Sequence, residues 1–233
     1  MNAENAALEP GAQLSLEELY RLYPDGLPDK EAKQGIVQVG RRLYDRGYAA
    51  ANDGNISYLA GPGMAWATPA NISKGFLKEA MLVKVDVDGR VLEGTWPPSS
   101  ELRMHLRVYR ENPDARAVIH AHSPYATAFA CAGMPLNEPI LAEAAAMLGE
   151  IPVASFAQPG TPAVAESIAP YCRDHCGVLL ANHGVLTWGA SLTEALYRLE
   201  RIEYYAHLLA LTGHLPPSAR RLAPELKSMR RDT

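Results

Sequence analysis

The chain has 233 residues, 48% of them hydrophobic and 21% charged, with a formal net charge of −4. That balance suits a globular protein and excludes a strongly basic nucleic-acid or membrane-surface binder. Three cysteines, Cys131, Cys172 and Cys176, are too few for a disulfide framework, so a reduced, cytoplasmic protein is expected.

Residues 1–15 read as a mobile arm with neither the basic start of a signal peptide nor an apolar anchor. Residues 16–215 read as a single α/β domain and 216–233 as a solvated tail. A short helix is expected at SLEELYRLYPDGLPD, broken by Pro24 and Pro28. KEAKQGIVQVGRRLYDRGYAAA follows as an amphipathic helix with Ile36, Val39, Leu43 and Tyr44 on one face. NDGNISYLA and GMAWATP read as strands, and MLVKVDVDGRVLEG alternates around Asp88-Gly89 as a hairpin. The helix after TWPPSS has Ser99 or Ser100 as its cap and Leu102, Leu106 and Tyr109 on its apolar face.

RAVIHAH is then a strand, Pro124–Ala132 a helix of small residues, and Leu141–Leu148 another helix before the strand IPVASF. TPAVAESIAPYCRDH reads as a helix capped by Thr161 with Pro162 in its first turn. GVLLANHGVLTWG is a strand–turn–strand, and SLTEALYRLERIEYYAHLLALTG a long helix with Ser191 and Glu194 as a capping box. Locally pairing strands argue against a regular βαβ array. No apolar run reaches the length of a membrane span.

His120 and His122 lie one pleat apart on one face of a strand, a two-imidazole platform for a metal ion. His183 ends the apolar run GVLL and can supply a third ligand, with Gly184 behind it permitting a tight backbone turn. Glu101 opens a helix, where it can answer the helix dipole, bind an open metal position or exchange a proton with a bound substrate. GNIS (54–57) and Ser99-Ser100 offer amides and hydroxyls to an anion. YCRDHCGV lacks the second ligand pair that a structural zinc site needs. His105 either lines the site or packs on its helix face. Lys74 either meets a substrate carboxylate or is solvated, Arg103 is read as structurally paired, and Tyr204 and Tyr205 as packing residues.

GNIS, TPANISKGF, PPSSELRMH, VIHAH and ANHG, in this order, resemble the class II aldolase/adducin family over roughly residues 36–209. The resemblance implies a three-layer α/β/α sandwich around a central, mainly antiparallel sheet. It implies a homotetramer with active sites between subunits, a divalent metal on His120, His122 and His183, and Glu101 as the acid/base. Zinc and manganese are the metals expected first, with iron or cobalt as alternatives. Asn55, Asn71, Ser99 and Ser100 fall at substrate-holding positions.

Two departures matter. The family's phosphate loop reads Thr/Ser-Gly after TP, where this chain has Ala70 and Asn71. EPILAEAAAM has no tyrosine where the family's sugar-phosphate aldolases have their proton donor; Glu143 lies nearby. The expectation is therefore a metal-dependent carbon–carbon lyase, a decarboxylase of a small hydroxylated aromatic or heteroaromatic carboxylate, with an aldolase for a hydroxy-carbonyl substrate as the alternative. An iron oxygenase and a non-enzymatic module of the adducin kind are the other readings, and the second gives no reason for three histidines and Glu101 to occur together.

Overall fold

The computed structural model describes residues 14–215 and 224–227; most of the expected arm and tail lie outside them. Eight strands form one sheet: β1 (Asn55–Gly61), β2 (Met64–Ala67), β3 (Val83–Asp86), β4 (Val91–Glu93), β5 (Ala117–Ala121), β6 (Val153–Ala154), β7 (Gly177–Leu180) and β8 (Gly184–Gly189). Their order is β4-β3-β2-β1-β5-β8-β7-β6, antiparallel except for the β6–β7 pair. Among the described residues, seven α-helices accompany it: α1 (Leu16–Leu22), α2 (Asp29–Asp45), α3 (Leu102–Glu111), α4 (Pro124–Ala132), α5 (Ala142–Met147), α6 (Pro162–Ile168) and α7 (Leu192–Gly213). The expected α/β architecture is present.

Strand alternation divides the core. Ile56, Tyr58, Ala117, Ile119 and Val185 face α2 and α7, whereas Val118, Val178, Leu186 and Trp188 face the opposite layer, which holds α3 and α6. His120 follows Val118 by two residues and so belongs to the α3 face. Asn55 and Ser57 belong to that face as well, because Ile56 and Tyr58 take the other.

Several local expectations need correction. The cap of α3 is Glu101 itself, with no side-chain capping bond; Ser99 Oγ instead accepts from the Glu101 N–H at 3.3 Å. Ser191 does cap α7, but the Glu194 carboxylate accepts from Ala190 N rather than closing a box on Ser191. A reciprocal box forms at Ser15 and Glu18, ahead of α1. Thr161 stands at the start of α6 without a capping bond. That helix stops at Ile168 and passes into a 3₁₀ turn, Ala169–Tyr171, because Pro170 has no N–H to continue the ladder. Helix α2 ends at Asp45, and its Tyr44 is exposed rather than on the core face. The sheet keeps only two residues of IPVASF, Pro152 lacking a ladder donor.

Two connections anchor the layers around the site. The Glu203 carboxylate on α7 is buried and accepts from the backbone N–H groups of Tyr125 and Ala126 at 2.9 and 2.8 Å. It thus satisfies orphan donors at the start of α4, the helix that leaves the His122 end of β5. The Arg42 guanidinium makes a bidentate pair with Glu200 at 2.7 and 2.8 Å, tying α2 to α7. Among the described residues, no helix is long and apolar enough to cross a membrane.

Candidate metal centre

Three imidazoles converge where β5 ends and β8 begins. His120 and His122 present Nε2 atoms 3.0 Å apart, and the His183 ring centre lies 4.6 Å from that of His120 and 5.0 Å from that of His122. All three offer ligand atoms within 4.8 Å of one another. This convergence depends on Gly184. A β-carbon there would fall 2.5 Å from the Ala121 carbonyl and 2.7 Å from the His122 ring. Gly184 is thus needed for space, not for the turn as expected; the left-handed residue in that turn is Asn182, at φ 56°. Gly54 is needed for both reasons, with φ 75° and a β-carbon position 2.8 Å from the His120 carbonyl.

The other ring nitrogens decide what the converging ones can do. His120 Nδ1 lies 2.9 Å from the Val185 carbonyl and must donate to it. His122 Nδ1 lies 3.2 Å from the Asp53 carboxylate and donates there. In neutral rings that leaves both Nε2 atoms as lone pairs pointed at each other, an arrangement that a shared cation relieves. Burial, outweighing the nearby Glu101 charge, lowers the His120 pKa to about 3, so the ring stays available as a neutral ligand.

Glu101 closes the group. Its Oε1 is 3.1 Å from His183 Nε2, and its Oε2 is 3.6 Å from His120 Nε2 and accepts from Asn55 Nδ2 at 2.9 Å. Burial pushes its pKa upward, but the His183 and Asn55 hydrogen bonds and the adjacent imidazoles outweigh that and hold it at about 2. A pocket of about 350 Å³ opens in front of these groups. Asn55, Asn71, Ser99, Ser100, Glu101, His122 and His183 line it, so the expected site residues come together, with His120 buried behind. Asn71 sits at φ 60°, a backbone shape suited to glycine that asparagine tolerates better than most residues.

Asp53, Asn52 and Pro159, which line the same pocket, escaped the sequence reading. Asp53 had a signal in its place beside Gly54, but nothing in the chain order ties it to His122. Lys74 fits neither expectation. It is 2% exposed, with Nζ on the carbonyls of Asn52 and Ile72, where burial lowers its pKa to about 8. It bridges the two loops that form one wall of the pocket. Arg103 is exposed, and the salt bridges recorded on its helix belong to Arg107 and Arg110. Tyr205 packs in the core, whereas Tyr204 is exposed.

The family model for the class II aldolase and adducin N-terminal domain matches residues 34–210. The 3-oxo-tetronate 4-phosphate decarboxylase of Escherichia coli O6:H1 is 34% identical over 192 residues, 81% of this chain and 90% of that one. The L-fuculose phosphate aldolase of Methanococcus vannielii is 36% identical over 173 residues, 74% of this chain and 92% of its own. The crystal structure of YgbL from Escherichia coli superposes with a TM-score of 0.80 at 32% identity, covering 87% of this chain and 99% of that one. With fold, ligand cluster and sequence in agreement, the chain belongs to the class II aldolase and adducin family.

Proposed function

We propose that this protein is a divalent-metal-dependent decarboxylase of a small hydroxylated carboxylate, aromatic or heteroaromatic, working at the pocket between His122 and Ser99. It is a lyase, as its decarboxylase and aldolase relatives are. The observation that carries the reading is the pair of opposed Nε2 lone pairs on His120 and His122, with His183 and the Glu101 carboxylate beside them. Three imidazoles would hold the ion, zinc or manganese first, and leave positions open for substrate. Bound there, a divalent cation supplies an electron sink for the bond broken beside a chelating oxygen.

The protein groups handle the proton. Glu101 is ionised before substrate arrives, so it accepts the proton of the substrate hydroxyl. It then delivers that proton to the ring carbon bearing the carboxylate; the bond to CO₂ breaks with its electrons returning to the ring oxygen, and Glu101 is again a carboxylate. Asn55 holds one Glu101 oxygen throughout. Ser99, Ser100 and the Asn71 amide offer neutral hydrogen bonds to the rest of the substrate. Ala70 provides no hydroxyl and Asn71 occupies the glycine position of a phosphate loop, which favours a substrate without phosphate. A homotetramer with sites between subunits belongs to the same reading, drawn from the family.

The second reading, an aldolase acting on a hydroxy-carbonyl compound, is favoured by the 36% identity to the fuculose phosphate aldolase. The test is protein reconstituted with zinc or manganese and offered hydroxylated phthalates, pyridine dicarboxylates and fuculose and ribulose phosphates. Metal-dependent CO₂ release, lost in His122→Ala, supports the decarboxylase. Aldehyde release from a sugar phosphate without CO₂ would select the aldolase instead.

A further inference from the structure

Behind Glu101, away from the pocket, runs a chain of four side chains. Asn55 Nδ2 donates to Glu101 Oε2, and Asn55 Oδ1 is 2.5 Å from His105 Nε2. His105 Nδ1 is 2.8 Å from Ser57 Oγ, which is 2.7 Å from the Tyr109 hydroxyl. Asn55, Ser57 and His105 are all buried. The chain exists because two repeats match. Positions 101, 105 and 109 are four apart at one helix end and within α3, about 6 Å per step. Positions 55 and 57 are two apart on β1, a step of about 6.7 Å. The two strand residues therefore interleave with the three on the helix side, and stripe and face stay in register along the chain.

The hydrogen bonds can run in only one direction. A carboxylate accepts, so Asn55 must turn its NH₂ to Glu101 and its carbonyl to His105. That carbonyl needs a donor, which places the His105 proton on Nε2. Nδ1 is then an acceptor and takes the Ser57 hydroxyl proton, and Ser57 in turn accepts from Tyr109. Burial holds the His105 pKa at about 3, so the ring has a single proton to place. Neither His105 nor Tyr109 lines the pocket.

We propose that His105 is a positioning residue: as its Nε2–H tautomer it locks the Asn55 amide, and through it aims the Glu101 carboxylate at the pocket. No proton travels along the chain; each hydrogen bond serves to orient the next group. The proposal deepens the reading of Glu101 as the acid/base and rests on it for its effect on turnover, but not for the tautomer.

The first experiment is imidazole ¹⁵N NMR on the metal-free full chain at neutral pH, with the His105 signals assigned by their loss in His105→Gln. A protonated Nε2 with bare Nδ1 is expected. A proton on Nδ1, or on both nitrogens, overturns the proposal. The second compares variants on the reaction identified above. His105→Gln keeps an amide N–H for Asn55 and should retain kcat, whereas His105→Leu fills the space without a donor and should lose kcat on the order of 10²-fold with KM little changed. Equal kcat in the two variants overturns the positioning role even if the tautomer is as expected. If wild type turns over nothing in the substrate panel, the functional reading has failed, and the tautomer alone decides whether His105 orients Asn55.

Discussion

An imidazole buried as His105 is cannot keep a second proton, and the consequence reaches stability. Its unfolded form takes up that proton near pH 6.5, whereas the folded form resists until about 3. The stabilising contribution is complete above about pH 6.5 and is lost as pH falls from there toward 3, by about 1.4 kcal/mol per pH unit. In urea unfolding of the metal-free protein this slope adds to that of His120, whose pKa is also lowered to about 3, and His105→Gln should reduce the total by about one proton; an unchanged slope would mean the ring is charged in the fold. Asp53 acts at the same scale. Its carboxylate fixes His122 with Nε2 free, so Asp53→Ala should weaken zinc binding about 10–100-fold. A competition titration with a chromophoric chelator reads this directly, and wild-type affinity would show that the 3.2 Å contact has no bearing on the ligand. Gly184→Ala should cost most of the metal affinity, since its methyl group would need the space of the His122 ring.

At the level of elements, the site is assembled from parts that meet at one end of the sheet. Strand β5 brings His120 and, one residue past its end, His122; the turn before β8 brings His183, and the cap residue of α3 is Glu101. Helix α4 is tied where it leaves β5 by the Glu203 carboxylate of α7. Removing that carboxylate orphans two N–H groups, one of them on buried Ala126. Glu203→Ala should therefore destabilise by on the order of 3 kcal/mol, measured by urea unfolding. Metal affinity should fall less than stability, because none of the three imidazoles touches Glu203. Equal loss of both would mean that α4 sets the His122 position.

For the molecule as a whole, three hydrophobic clusters fill the space between the sheet and its two helical layers and hold the fold together by apolar burial. A chelator should abolish turnover while far-UV circular dichroism stays at its starting value. Adding zinc back at a hundred times its dissociation constant should stabilise the fold by about 2.7 kcal/mol, a rise in melting temperature of about 5–10 °C. Collapse of the dichroism on chelation would make the metal structural.

The cluster of three histidines was legible because its signals are local. A strand's alternation places His120 and His122 on one face, and a histidine closing an apolar run before glycine marks a buried strand end. The ordered motifs added Glu101, Asn55, Asn71, Ser99 and Ser100, which the fold gathers around one pocket. Other features depend on neighbours that no linear pattern names. Lys74 reads as a loop residue until two carbonyls from separate turns close on it. Asp53 is one more turn residue until β5 delivers His122 beside it. His105 looks like a helix-face residue until α3 settles over β1 with matched repeats. The sequence by itself determined the element types, the face that each strand residue takes and the candidate histidine cluster, because these follow from periodicity and side-chain chemistry. Only the tertiary structure decided which nitrogen His120 and His122 present and how the Glu101 carboxylate is held, because tautomer and orientation depend on atoms brought together from distant parts of the chain.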